Sequence, residues 1–130
     1  MAMFSHVCFA IVLSGFANFP VQASGPDNDY FRGIAILSED PVQAVKLFRK
    51  SAERGFDEAQ FNMGASYEFG RGVPQDYVTA HMWYNLAAAL GHDGGPIARD
   101  RVAVVMTPAD ISEDQRRARA CQASHYKNCN

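Results

Sequence analysis

A large excess of charge of either sign is missing from this sequence. The 12 Lys and Arg are balanced by 14 Asp and Glu, which removes the basic footprint that a nucleic-acid-binding domain carries. Cysteine is scarce: Cys8 lies in the apolar start of the chain, and only Cys121 and Cys129 remain beyond it. No phosphate loop is present. Gly70-Arg71-Gly72 has neither a strand before it nor a Lys-Ser/Thr after it, so it reads as a turn between paired helices. No nucleophile elbow is present either, because Ser66 has helical neighbours in Gly64-Ala65-Ser66-Tyr67-Glu68. His81 and His92, with Glu68 and Asp76, are the groups left for acid–base work. The two carboxylates flank a turn, where helix-end carboxylates are ordinary, and His81 precedes aromatic residues on a helix, as a structural histidine does. These absences leave no catalytic residue and no cofactor to assign.

Charge is also missing from Phe4 to Val21, which is mostly apolar. Val21-Gln22-Ala23 ahead of Ser24 forms a small-x-small cleavage pattern, so residues 1–23 read as a secretory signal peptide. A periplasmic or secreted protein follows, with no stable membrane span after cleavage. No Lys or Arg precedes the apolar run, only the amino terminus and His6. An uncleaved N-terminus that tethers the chain to a membrane is therefore the second reading, although Asn18 and Pro20 make the run a poor span. Residues 24–29 are polar, contain Gly and Pro, and read as a linker.

Helical punctuation fills the rest. Asp57-x-x-Gln60 reads as a capped start, Phe69-Gly70-Arg71-Gly72-Val73-Pro74 as a stop, and Asp76 as the next cap. Gly64, Ala80, Ala87 and Ala88 let two amphipathic helices approach, while Phe61, Met63, Tyr67, Trp83, Tyr84 and Leu86 fill their seam. Upstream, Tyr30 to Leu37 reads as a short helix. Asp40-Pro41-Val42-Gln43 opens another, with Ala44, Val45, Phe48 and Ala52 as its dry stripe. Downstream, His92-Asp93-Gly94-Gly95-Pro96 reads as a turn, Ile97 to Val105 as a helix with Arg99 and Arg101 facing water, and Thr107-Pro108-Ala109-Asp110 as a capped start. The last segment, Ile111 to Ala120, has Glu113 four residues before Arg117 and reads as a terminal cap. Ala44…Ala52-x-x-Gly55-x-Asp57 recurs 36 residues later as Ala80…Ala88-x-x-Gly91-x-Asp93. That period, built of two helices, is an α-solenoid signature. The expected fold is all-α: a short solenoid of about three helical hairpins over residues 30–123, with a C-terminal tail at 124–130.

The run Asp57-Glu58-Ala59-Gln60-Phe61-Asn62-Met63-Gly64, then Gly70-Arg71-Gly72-Val73-Pro74-Gln75-Asp76-Tyr77, then Ala80, Trp83-Tyr84 and Ala87-Ala88-x-x-Gly91, resembles a Sel-one-like repeat. That family is a bacterial-rich relative of the tetratricopeptide solenoids. Pro41 to Gly55 matches in part, and Arg101 to Arg119 is similar to the tail that follows a last repeat. The resemblance implies a scaffold or adaptor that binds another protein or peptide, here one of the bacterial cell envelope. In tetratricopeptide-like repeats the first helix of each hairpin lines the concave face. By that analogy the partner-binding positions are Glu58, Phe61, Asn62, Ala65, Glu68 and Phe69. The Asn62 carboxamide can hold an extended peptide backbone or bond within its own repeat.

Cys121 and Cys129 favour a disulfide in an oxidising compartment. In one continuous helix their Cα atoms would lie about 12 Å apart, too far to bridge, so the helix must end near Ser124 or Tyr126. The alternative places Cys121, His125 and Cys129 on one helical face as metal ligands, a set that lacks a fourth member. Two other functions compete with the adaptor: a small envelope hydrolase acting on peptidoglycan or β-lactam-type substrates through Glu68 or His81, and a metal-binding envelope protein. Weak end-to-end self-association suits a short solenoid with an imperfect end.

Overall fold

The computed structural model describes residues 26–129. The signal peptide, its cleavage site near Ala23, and Cys8 lie outside the described residues. Six helices follow in order: α1 (Pro26–Ile36), α2 (Pro41–Glu53), α3 (Asp57–Phe69), α4 (Tyr77–Ala89), α5 (Gly94–Ala103) and α6 (Pro108–Ala123). No strand occurs among the described residues. None of these helices is long and apolar enough to cross a membrane.

Local chemistry sets most of the boundaries. Asp40 caps α2 by accepting from the Gln43 N–H at 3.0 Å, with Pro41 in the first turn. Asp76 caps α4, accepting from both the N–H and the hydroxyl of Thr79. Thr107 and Asp110 form a reciprocal capping box on α6. Three expectations need correction. α1 starts at Pro26, inside the stretch read as a linker, because proline is well placed in a first helical turn. α5 starts at Gly94, inside the stretch read as a turn. Asp57 makes no side-chain cap; it is already helical, and Gln60 turns inward. The fully buried Gln60 donates from Nε2 to the Ala52 carbonyl at 3.1 Å, which also accepts from the Gly55 N–H at the end of α2.

Small residues govern how the helices meet. A Cβ at Gly64 would come within 2.6 Å of the Tyr84 ring, and one at Gly33 within 2.7 Å of the Phe48 ring. Each hairpin, α1–α2 and α3–α4, therefore closes a glycine onto an aromatic ring. Gly72 joins one hairpin to the other. It has a positive φ of 77°, and a Cβ there would run into the Pro41 carbonyl, so the α3–α4 turn lies directly on the start of α2.

The third hairpin does not close as the periodicity predicts. α4 packs against α3, α5 and α6, while α5 and α6 meet only marginally. α6 folds back over the outer side of α4. This buries α4 nearly all round, including Met82, Trp83, Tyr84 and Leu86, instead of leaving it amphipathic. Asp114, Ala118 and Cys121 form the inward stripe of α6. The expected apolar stripe thus contains a charged residue: Asp114, fully buried, accepts from His81 Nδ1 at 2.7 Å. That bond makes His81 a structural histidine with its proton on Nδ1.

Cys121 and Cys129 are joined by a disulfide, with Cα atoms 4.5 Å apart. The helix ends at Ala123, and His125 and Tyr126 turn the chain back at φ 53° and 64°. The Tyr126 ring then lies over Gly55 in the α2–α3 turn. With the helix ended and both sulfurs in the bridge, Cys121, His125 and Cys129 do not form a ligand face. No group of three or more metal-binding side chains occurs among the described residues.

Candidate functional site

The six residues expected on a concave face separate into three environments. Asn62, Ala65 and Phe69 line a cleft together with Leu37, Phe48, Ser66 and Arg71. The cleft lies between the end of α1, the middle of α2 and the last turns of α3. It holds about 270 Å³, open mouth included. Leu37 and Arg71 also line a wider opening beside Ile34, Ser38 and Pro41, so the two spaces share a wall. Phe69 is 63% exposed at the rim and Ile34 is 43% exposed.

Glu58 and Phe61 lie elsewhere. The Phe61 ring stacks on His92 with centroids 4.3 Å apart, and it also meets Tyr84. His92 Nδ1 accepts from the Gly94 N–H at 3.1 Å, so its proton sits on Nε2, facing Glu58 at 3.2 Å. This imidazole closes the start of α5.

Glu68 faces inward, away from any partner. Arg101 donates from Nε and Nη2 to its two oxygens at 2.9 and 2.7 Å, and the Tyr84 hydroxyl donates at 2.6 Å. Burial alone would raise the Glu68 carboxyl; the Arg101 and Tyr84 hydrogen bonds outweigh it and hold the group below the usual carboxylate range. The same burial, with Glu68 as acceptor, pushes the Tyr84 phenol up. Arg101 thus has a head group bound to Glu68, although half its side chain is exposed. Arg99 reaches Asn85 and Asp100.

The polar groups of the cleft are largely occupied. Ser66 Oγ donates to the Asn62 carbonyl at 2.8 Å. The Asn62 side chain lies toward the Tyr30 hydroxyl, whose pKa burial and the Glu58 charge push up. Asn62 therefore faces the preceding hairpin as well as the cleft. What remains toward an occupant is Leu37, Ala65 and Phe69 over the buried Phe48 ring, with Arg71 at the edge. Among the described residues Arg71 has no ion pair and no side-chain hydrogen bond. Sequence reasoning missed Leu37, Phe48 and Arg71. Phe48 reads as core, and Arg71 lies in a glycine-rich turn that reads as a connector.

The repeat register explains why the cleft exists. Phe48 and Tyr84 are 36 residues apart, as are Ala65 and Arg101. Leu37 lies beside Phe48 near the end of α1, as Glu68 lies beside Tyr84 near the end of α3. In the second hairpin this place is filled by the Tyr84–Glu68–Arg101 cluster. In the first it is lined by Phe48, Leu37 and Ala65, and it is open.

Comparison with known proteins agrees with this architecture. The Sel1 repeat matches residues 30–56 and 57–92. The "DAP3-binding cell death enhancer 1" proteins of Rattus norvegicus and Mus musculus are each 44% identical over 41 residues, which is 32% of this chain. The chain aligns with only 8% of the length of those curated relatives. Among solved structures, c5321, a protective antigen of uropathogenic Escherichia coli strains displaying an SLR fold, superposes with a TM-score of 0.70 at 26% identity. That match covers 82% of this chain and 24% of the other. Two tandem Sel1 matches on a solenoid of the same fold place the chain among the Sel1-repeat proteins.

Proposed function

We propose that this chain is an exported adaptor of the bacterial cell envelope, which binds an extended segment of another protein in the cleft between its first two hairpins and performs no chemistry of its own. The observation that carries the reading is the cleft itself: apolar side chains line an open slot at the place the next repeat fills with its own side chains. The two candidate catalytic groups support it further. Glu68 is committed to Arg101 and Tyr84, and His81 is buried against Asp114, so neither faces the cleft. The metal alternative loses its thiolates to the disulfide. Export fits the charge-free apolar start, the Val21-Gln22-Ala23 pattern and the bridged cysteines.

Site-specific photo-crosslinking tests the reading. A benzophenone side chain at Phe69 should give a discrete adduct in the intact cell envelope, whereas one at Arg119 on α6 should not. The intact mass of the recovered chain should lack residues 1–23. Equal labelling from both positions, or a full-length chain in the cytosol, would overturn the adaptor reading.

A further inference from the structure

We infer that the occupant of the cleft is an internal peptide segment carrying one apolar side chain close to an Asp or Glu: the apolar group settles between Leu37 and Ala65 over the Phe48 ring, and the carboxylate meets Arg71. The inference rests on the adaptor reading above and names the chemistry of its partner.

The inner space accepts an apolar group because its polar neighbours are turned to groups of this chain. Ser66 Oγ is bonded to the Asn62 carbonyl, and the Asn62 side chain lies toward Tyr30. A polar occupant would lose hydrogen bonds to water and find few in exchange. The carboxylate is specified by charge. Arg71 is the charged side chain that lines both the inner space and the wider opening, and no acidic residue lines either. Its guanidinium meets no carboxylate among the described residues, whereas Arg49, Arg54, Arg101, Arg116 and Arg117 all have partners. A planar, always-charged group free at the mouth of an apolar slot suits a carboxylate. The second repeat shows the same chemistry within the chain, where an aromatic ring, a carboxylate and a guanidinium come together as Tyr84, Glu68 and Arg101. The segment is internal to its own chain because the inner space adjoins the wider opening beside Ser38 and Pro41, which leaves room for the chain to run on.

The probe is a displayed library of random short peptides, panned against the mature chain and counter-selected on an Ala65→Leu variant whose slot is filled. Peptides with an apolar residue within a few positions of Asp or Glu should be enriched. A fluorescent copy of the strongest should bind about tenfold more weakly to Arg71→Glu, the loss of one charge-assisted bond. Replacing its Asp or Glu with Lys should restore binding to Arg71→Glu and weaken binding to the wild type. Thermal melting of both variants controls for folding, and Arg71→Lys serves as a milder variant. Enriched peptides without an acid, or with one whose exchange changes nothing, would overturn this inference and leave the adaptor reading standing. Recovery of no peptide that discriminates the wild type from Ala65→Leu would overturn both.

Discussion

The first two hairpins share one seam and finish it differently. In each, a glycine of the first helix closes onto an aromatic ring of the second: Gly33 onto Phe48, and Gly64 onto Tyr84. In the second hairpin the tyrosine hydroxyl needs a partner once buried, Glu68 supplies it, and Arg101 from the next helix neutralises Glu68. In the first, Phe48 has no hydroxyl, Leu37 has no charge, and Ala65 is too short to reach across. The same repeat thus builds a cross-linked strut once and an open apolar slot once. The two seams differ at Phe48 against Tyr84, Leu37 against Glu68 and Ala65 against Arg101.

Breaking the contact between the hairpins should have the largest effect. Gly72→Ala must adopt a left-handed backbone and drive a methyl into the Pro41 carbonyl, at a cost of about 3 kcal/mol. Urea denaturation measures it, and a loss below about 1 kcal/mol would show that the turns are not locked together. Next in size is the C-terminal staple. Reducing the Cys121–Cys129 bridge should cost about 2 to 3 kcal/mol and raise hydrogen exchange around Gly55 and Tyr126, leaving the slot beside Phe48 unchanged.

The strut itself comes third. Glu68→Ala strands a buried hydroxyl and should cost about 2 kcal/mol. The combination Tyr84→Phe, Glu68→Leu and Arg101→Ala copies the first hairpin and should cost less than about 1 kcal/mol, because no polar group is left unpaired. If the triple variant were as unstable as Glu68→Ala, the two seams would not be equivalent. The strut is also pH-dependent. Since the Glu68 carboxyl is held below its ordinary value of 4.5, its contribution is complete above that pH and is lost as pH falls through the lowered value. Wild type and Glu68→Gln should therefore differ in stability at neutral pH and converge in acid. The smallest stability effect belongs to Ala65→Leu, which fills the open slot. It should shift stability by less than about 1 kcal/mol in either direction while abolishing peptide binding.

Helix order and most caps were legible because they depend on neighbours in sequence: Asp40, Asp76 and the Thr107–Asp110 box act within one turn. The repeat period was legible because Ala44 and Ala80, or Gly55 and Gly91, recur at a fixed spacing. What could not be read depends on contacts between distant segments. α6 left its expected partner for α4, where the buried His81–Asp114 pair ties the two helices together, and that pair leaves no periodic trace. Of the six positions read as partner-facing, Asn62, Ala65 and Phe69 line the cleft. Glu68 was assigned to a surface and is buried, since its partner Arg101 lies 33 residues away. Leu37, Phe48 and Arg71 come from the α1–α2 turn, α2 and the α3–α4 turn, and the packing of Gly72 on Pro41 sets these segments side by side.

Amide NMR of the labelled chain, titrated with the strongest panned peptide, is the most direct measurement. The expected shifts are at Leu37, Ala65, Phe69 and Arg71, with Tyr84, Glu68 and Arg101 unmoved. Shifts centred on the Tyr84–Glu68–Arg101 strut, or spread over α6, would contradict the claim that the open slot of the first hairpin is the binding site.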